Sequence, residues 1–178
     1  MEYIGKRISI KRIENEVSIV ILSTADKMKK ILLFIWFSLW SLSGIIIFTQ
    51  YFLIKDEQTR VALLVWMGFW VYFEYKIFKA VMWRNYGIEK IKLRDRKLFY
   101  KRDVAGKGKV KVFECDFIKD FRMPEAKENA FFEDINNSYW VIAGEKLVFD
   151  YYGKEVKLGI QLEADDAKAL YKLIKSKI

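Results

Sequence analysis

The stretch Ile31 to Ile54, ILLFIWFSLWSLSGIIIFTQYFLI, carries no charge, and after the polar KDEQTR of Lys55 to Arg60 a second apolar run opens at Val61. As a helix rising 1.5 Å per residue, the first stretch is roughly 36 Å long, enough to cross a hydrocarbon core of about 30 Å with some tilt. The polar connection is too short to cross back. The two runs therefore read as a transmembrane helical hairpin over residues 31–84, with both long flanks on one side. This divides the chain into an N-terminal segment over 1–30, the hairpin, and a C-terminal domain over 85–178.

Charge decides which side. Lys6, Arg7, Lys11, Arg12, Lys27, Lys29 and Lys30 precede the hairpin, and Arg84, Lys90, Lys92, Arg94, Arg96, Lys97, Lys101 and Arg102 follow it. The connection has only Lys55 and Arg60, offset by Asp56 and Glu57. The positive-inside bias predicts a multi-pass protein with both termini in the cytoplasm. A cleavable signal peptide is not expected, because the first apolar stretch starts some thirty residues in and is too long for an h-region. The single cysteine, Cys115, excludes an intramolecular disulfide and fits a reducing compartment.

The composition excludes several function classes. The 178 residues carry a formal charge of +9 and no histidine. The lack of histidine removes Ser/His and Cys/His nucleophile pairs, most catalytic zinc sites and the commonest general base at neutral pH. The GKGK of Gly106 to Lys109 lacks P-loop spacing and reads as a hairpin turn. No metal, cofactor or enzymatic activity is expected, although carboxylate chemistry stays open.

Outside the hairpin the period is two. RISIKR (Arg7 to Arg12) and EVSIVIL (Glu16 to Leu22) alternate about a turn at Glu14-Asn15, which predicts a β-hairpin. Two strands alone are marginal in water, so this hairpin should dock on the membrane surface or on the C-terminal domain. Asp26 is a candidate cap for the first membrane helix. After Trp83, seven short strands are expected: Ile88–Leu93, Lys97–Arg102, Lys109–Glu114, Phe117–Met123, Tyr139–Ile142, Lys146–Tyr151 and Glu155–Ile160. The gap Pro124 to Asn137 is the longest loop.

The last segment changes period. Leu162, Ala167, Leu170, Leu173, Ile174 and Ile178 make one apolar stripe, with acidic residues in the first turn and lysines in the last. Seven strands and one helix is the element order of a pleckstrin-homology-like (PH-like) split barrel closed by its C-terminal helix. The expected class is thus an α+β membrane protein. With RIENEVSIVI at Arg12 to Ile21 and VFDYYGKEVKLGIQLEADDAKALYKLIKSKI at Val148 to Ile178, the chain resembles bacterial membrane proteins with two transmembrane helices and a C-terminal PH-like domain. The resemblance implies an inner-membrane location. It brings no catalytic motif, and a fold of this kind does not determine a function.

Three features are candidate sites. Glu74, paired across the hairpin, falls near the level of Ser41 and Ser43; an intramembrane carboxylate is costly and needs a partner, water or a cation. It is either a proton or ion relay or the mark of an interfacial helix end. The run Lys90 to Lys111 holds ten basic residues and two acidic ones. It reads as electrostatic docking to an anionic leaflet, as a headgroup pocket between Lys92, Lys101 and Lys109, or as a solvated face. Tyr139 and Trp140 open a strand and read as barrel core or rim, and Cys115, flanked by Glu114 and Asp116, as an unreactive thiol.

These readings converge on a binding or scaffolding protein whose C-terminal domain contacts anionic lipid, a second copy of the chain or another membrane protein. The alternative is a small transport or conductance component assembled around Glu74. Nucleic acid is not an expected partner, since no recognised binding motif accompanies the charge.

Overall fold

The computed structural model describes residues 1–23, 27–124, 142 and 144–178. The chain separates into two compact units: Asp26–Met82, and a second assembled from Met1–Ala25 together with Trp83–Ile178. Asp26, the candidate cap, lies outside the described residues.

The first unit is built from α1 (Lys27–Tyr51) and α2 (Glu57–Tyr86), the last turn of α2 belonging to the second unit. α2 starts four residues before the apolar run because Asp56 caps it, accepting the Thr59 N–H at 2.8 Å and the Thr59 hydroxyl at 2.5 Å. Both helices are long and apolar enough to cross a membrane. Phe34, Leu39, Ile45, Phe69 and Phe73 are exposed on them, the reverse of a helix in a water-soluble core. Between the helices, Gly44 lies against the Trp70 indole so closely that a Cβ would overlap the ring, and Phe37 meets Phe78 at 6.2 Å between centroids.

The second unit is β-rich. Its strands are β1 (Glu2–Ile4), β2 (Ile8–Ile13), β3 (Glu16–Leu22), β4 (Gly87–Arg94), β5 (Lys97–Val104), β6 (Val110–Glu114), β7 (Ile118–Arg122), β8 (Glu145–Tyr151) and β9 (Lys154–Ile160). They form two antiparallel sheets, one in the order β1-β2-β3-β4-β5-β6 and one in the order β7-β8-β9. Helix α3 (Ala164–Lys175) packs on β8 and β1. Among the described residues the protein is therefore α+β, with three helices and two antiparallel sheets.

The N-terminal hairpin does not stand apart as a unit of residues 1–30. β3 pairs with β4 from Val17↔Leu93 to Leu22↔Ile88, so the two membrane-type helices are inserted between neighbouring strands of one sheet. The cause is the apolar face of the hairpin. Ile8, Ile10, Val17, Ile19 and Ile21 alternate inward and cannot be covered by two strands, but beside β4 they join Ile91, Leu93, Leu98 and Phe149 in one core. Of the expected alternatives, then, the hairpin docks on the C-terminal part, and β1, which the residue pattern did not announce, extends the same sheet.

Ala167, Leu170 and Ile174 of α3 reach that core fully buried, with Leu173 and Ile178 partly so, as the stripe predicts. The expected strand from Phe117 starts one residue later, after a 3-10 turn over Cys115–Phe117. The GKGK region does follow a tight turn: Val104 bridges Lys107 around Ala105 and Gly106, and Gly106 holds φ +83, where a side chain would be strained. The strand expected at Tyr139–Ile142 falls almost wholly outside the described residues, as do Tyr139 and Trp140.

Candidate binding site

Alternation along β4 and β5 sorts the basic run onto two faces. Glu89, Ile91 and Leu93 turn inward with Leu98 and Tyr100, and Lys90, Lys92 and Arg94 turn outward with Phe99 and Lys101. Register sets Lys90 opposite Lys101 and Lys92 opposite Phe99. The result is an outer groove of about 500 Å³ with Phe99 and Val110 on its floor and Lys90, Lys92, Arg94 and Lys101 on its rim.

Much of the rim charge is already matched. Lys92 Nζ lies 2.8 Å from Glu16, and Lys90 and Lys101 lie 2.8 and 3.1 Å from the same Oδ2 of buried Asp103. Hydrogen bonds from these lysines hold the Asp103 carboxyl below the usual carboxylate range, and the bond from Lys92 does the same to Glu16. The groove is a basic surface with an apolar floor, not a ring of free cations.

Lys92 and Lys101 therefore share a groove, but Lys109 is not part of it. Lys109 and Lys111 line a second groove of about 390 Å³ with Tyr100, Arg102, Glu145 and Lys157. β6 separates the two grooves. The three lysines are split because the pairing of β6 with β5 sets Val110, not Lys109, opposite Lys101, so that Lys109 and Lys111 fall on the face of Tyr100.

The residue pattern did not single out Glu89, a buried carboxylate with three hydrogen bonds. Only 1% exposed, it accepts hydrogen bonds from the Tyr100 hydroxyl at 2.9 Å, the Gly159 N–H at 2.9 Å and the Ile160 N–H at 2.7 Å. Arg102 continues the chain, donating to the Tyr100 oxygen at 2.6 Å and to Glu145 at 2.8 Å. Burial first, and Glu89 second, push the Tyr100 phenol far above its ordinary value. Arg7 donates to the carbonyls of Leu22, Ile160 and Gln161, and Arg84 to the Gln161 side chain at 2.5 Å. This network fastens β4 and β5 to β9 across the gap between the sheets. The signal for Glu89 lay in its parity with Ile91 and Leu93.

Other candidates resolve individually. The Ser41 hydroxyl donates to Glu74 Oε1 at 2.6 Å, whereas Ser43 bonds the Trp40 carbonyl at 2.7 Å and does not join Glu74. Glu74 Oε2 is buried without a hydrogen-bond partner among the described residues. The Cys115 thiol is buried, and burial, with Asp116 behind it, raises its pKa against the opposing pull of Arg96. Among the described residues there is no grouping of three or more His, Cys, Asp or Glu side chains suited to a metal ion.

Comparison of the chain with family models, with curated proteins and with solved structures found no match in any of the three.

Proposed function

We propose that this chain is a membrane-anchored binding or scaffolding protein of a bacterial inner membrane, non-enzymatic, with both termini in the cytoplasm. In this reading its β-unit is a PH-like module, closed by α3, that contacts anionic lipid, a protein partner or both. The observation that carries it is the pairing of β3 with β4, the strands on either side of the two apolar helices. A folded sheet cannot be shared across a bilayer, so both flanks occupy one compartment, and their basic charge favours the cytoplasm. The PH-like assignment rests on the order of strands from β4 onward ending in an amphipathic helix, and on the resemblance described above.

The outer groove supports lipid contact. An apolar floor rimmed by basic side chains matches an anionic headgroup layer, with about 1 kcal/mol available per Lys or Arg near the surface. Because Glu16 and Asp103 already engage three rim lysines, docking should be weaker than ten basic residues suggest, and Lys109 should contribute little. The test places an environment-sensitive dye on a Phe99→Cys, Cys115→Ser chain reconstituted in nanodiscs. A blue shift in phosphatidylglycerol over phosphatidylcholine, lost in high salt and in Lys92→Glu/Lys101→Glu, is expected. Identical emission in both lipids refutes lipid contact and leaves a protein partner, a second copy or another membrane protein, as the ligand.

A second reading follows from the Ser41–Glu74 bond and the Glu74 oxygen left without a partner among the described residues: a small transport or conductance component in which Glu74 binds a proton or cation. A Glu74→Gln chain that inserts, assembles and functions as the parent does removes it.

A further inference from the structure

We infer that β6 is a docking strand, and that an extended, acidic segment of a partner protein pairs with its free edge and lengthens the six-stranded sheet. Among the described residues β6 ends that sheet and pairs only with β5. The hydrogen bonds show which of its backbone groups point out. The Cys115 N–H donates back to the Arg96 carbonyl at 2.9 Å, whereas the Glu114 N–H faces the opposite way, toward the Tyr151 hydroxyl at 3.5 Å. Alternation places Val110 and Val112 with Glu114, so their N–H and C=O groups face away from β5.

The other edges are blunted. β1 has three residues, and β7 is irregular between Lys119 and Arg122, with Asp120 at φ +48. On β9, Arg102 donates to the Lys157 carbonyl at 3.3 Å. β6 instead presents two exposed valines, Val110 at 57% and Val112 at 48%. An edge with exposed valines recruits another strand unless something opposes it.

The flanking grooves specify the recruit. An added strand would alternate its side chains between the outer face, where Phe99, Val110 and Val112 offer apolar surface, and the inner groove beside Lys109 and Lys111. Unlike Lys90, Lys92 and Lys101, Lys109 and Lys111 make no ion pair among the described residues. Glu145 and Glu155 line the same groove but are engaged by Arg102 and by Arg122 and Lys157, so the complementary segment alternates apolar and acidic residues. A second copy of β6 would set lysines near lysines, and a lipid surface supplies no main-chain pairing. Edge lysines also serve to repel strands, and that role predicts no binding at all.

The test uses the full chain in phosphatidylcholine nanodiscs and fluorescence anisotropy of two labelled peptides, Glu-Val-Glu-Val-Glu-Val and Lys-Val-Lys-Val-Lys-Val. Saturable binding of the acidic peptide alone is expected. Val112→Pro removes an outward N–H that an edge strand can spare, so affinity should fall about tenfold or more while the melting temperature holds. Lys109→Glu/Lys111→Glu, on exposed side chains, should transfer binding to the basic peptide. Absence of saturable binding, equal binding of both peptides, or unchanged charge preference in the double variant overturns the proposal.

Discussion

Removing β1 to β3 should unfold the β-unit even though every strand from β4 onward is kept. The deleted segment supplies Ile8, Ile10, Val17, Ile19 and Ile21 to the core, none more than 6% exposed. At about 1.5 to 3 kcal/mol per buried side chain, their loss withdraws roughly 8 to 15 kcal/mol. A compact denatured chain reduces that figure by about 10–40%, and it still equals the whole stability of a typical domain, about 5 to 15 kcal/mol. The deletion also frees the Ile160 and Gln161 carbonyls from Arg7 and opens the edge of β4. Two proteins make the comparison: residues 83–178 alone, and residues 1–23 joined to Trp83 by a flexible Gly/Ser linker in place of the helices. The linker costs little, because closure entropy grows only with the logarithm of loop length. Urea titrations followed by circular dichroism should show one cooperative transition for the joined protein and none for the shorter one. A cooperative transition at the same midpoint in residues 83–178 would refute the argument and make the N-terminal strands dispensable.

Three further outcomes follow from the same contacts. Glu89→Ala leaves two buried backbone N–H groups and a hydroxyl without an acceptor and should cost the β-unit about 3 to 5 kcal/mol, whereas Glu89→Gln, which sets an amide N–H against at least one donor, should cost about 1 to 3; urea midpoints of the joined protein measure both. Lys90 and Lys101 hold the Asp103 carboxyl below its usual range, so ionised Asp103 stabilises the fold above the unfolded carboxylate value of about 3.9 and loses that effect as pH falls further. Melting temperatures of the parent and Asp103→Asn should accordingly differ at neutral pH and converge below about pH 4, and a constant gap would show that the lysine contacts are not responsible. Gly44→Leu drives a side chain into the Trp70 ring and should separate α1 from α2, read as the loss of a crosslink otherwise formed by a short bifunctional maleimide between cysteines introduced at Phe37 and Phe78 in a Cys115→Ser background.

The residue order by itself determined the two apolar helices, the strand periods and the inward stripe of α3. Each is a local pattern: an uncharged run long enough for a bilayer, an alternation of two, a repeat near 3.6. It also determined that Lys92 and Lys101 share a face, since both follow from parity and one tight turn. Only the tertiary structure decided where the N-terminal hairpin goes, because the pairing of β3 with β4 joins residues more than sixty positions apart and depends on which apolar faces need cover. The packing of one sheet against the other made Glu89 a fastener, by bringing the Gly159 and Ile160 amides of β9 to a carboxylate that the local pattern shows only as a charge at an inward position. Lys109 parts from Lys92 and Lys101 because the pairing of β6 with β5 sets Val110 opposite Lys101, which sends Lys109 and Lys111 to the other face of the sheet.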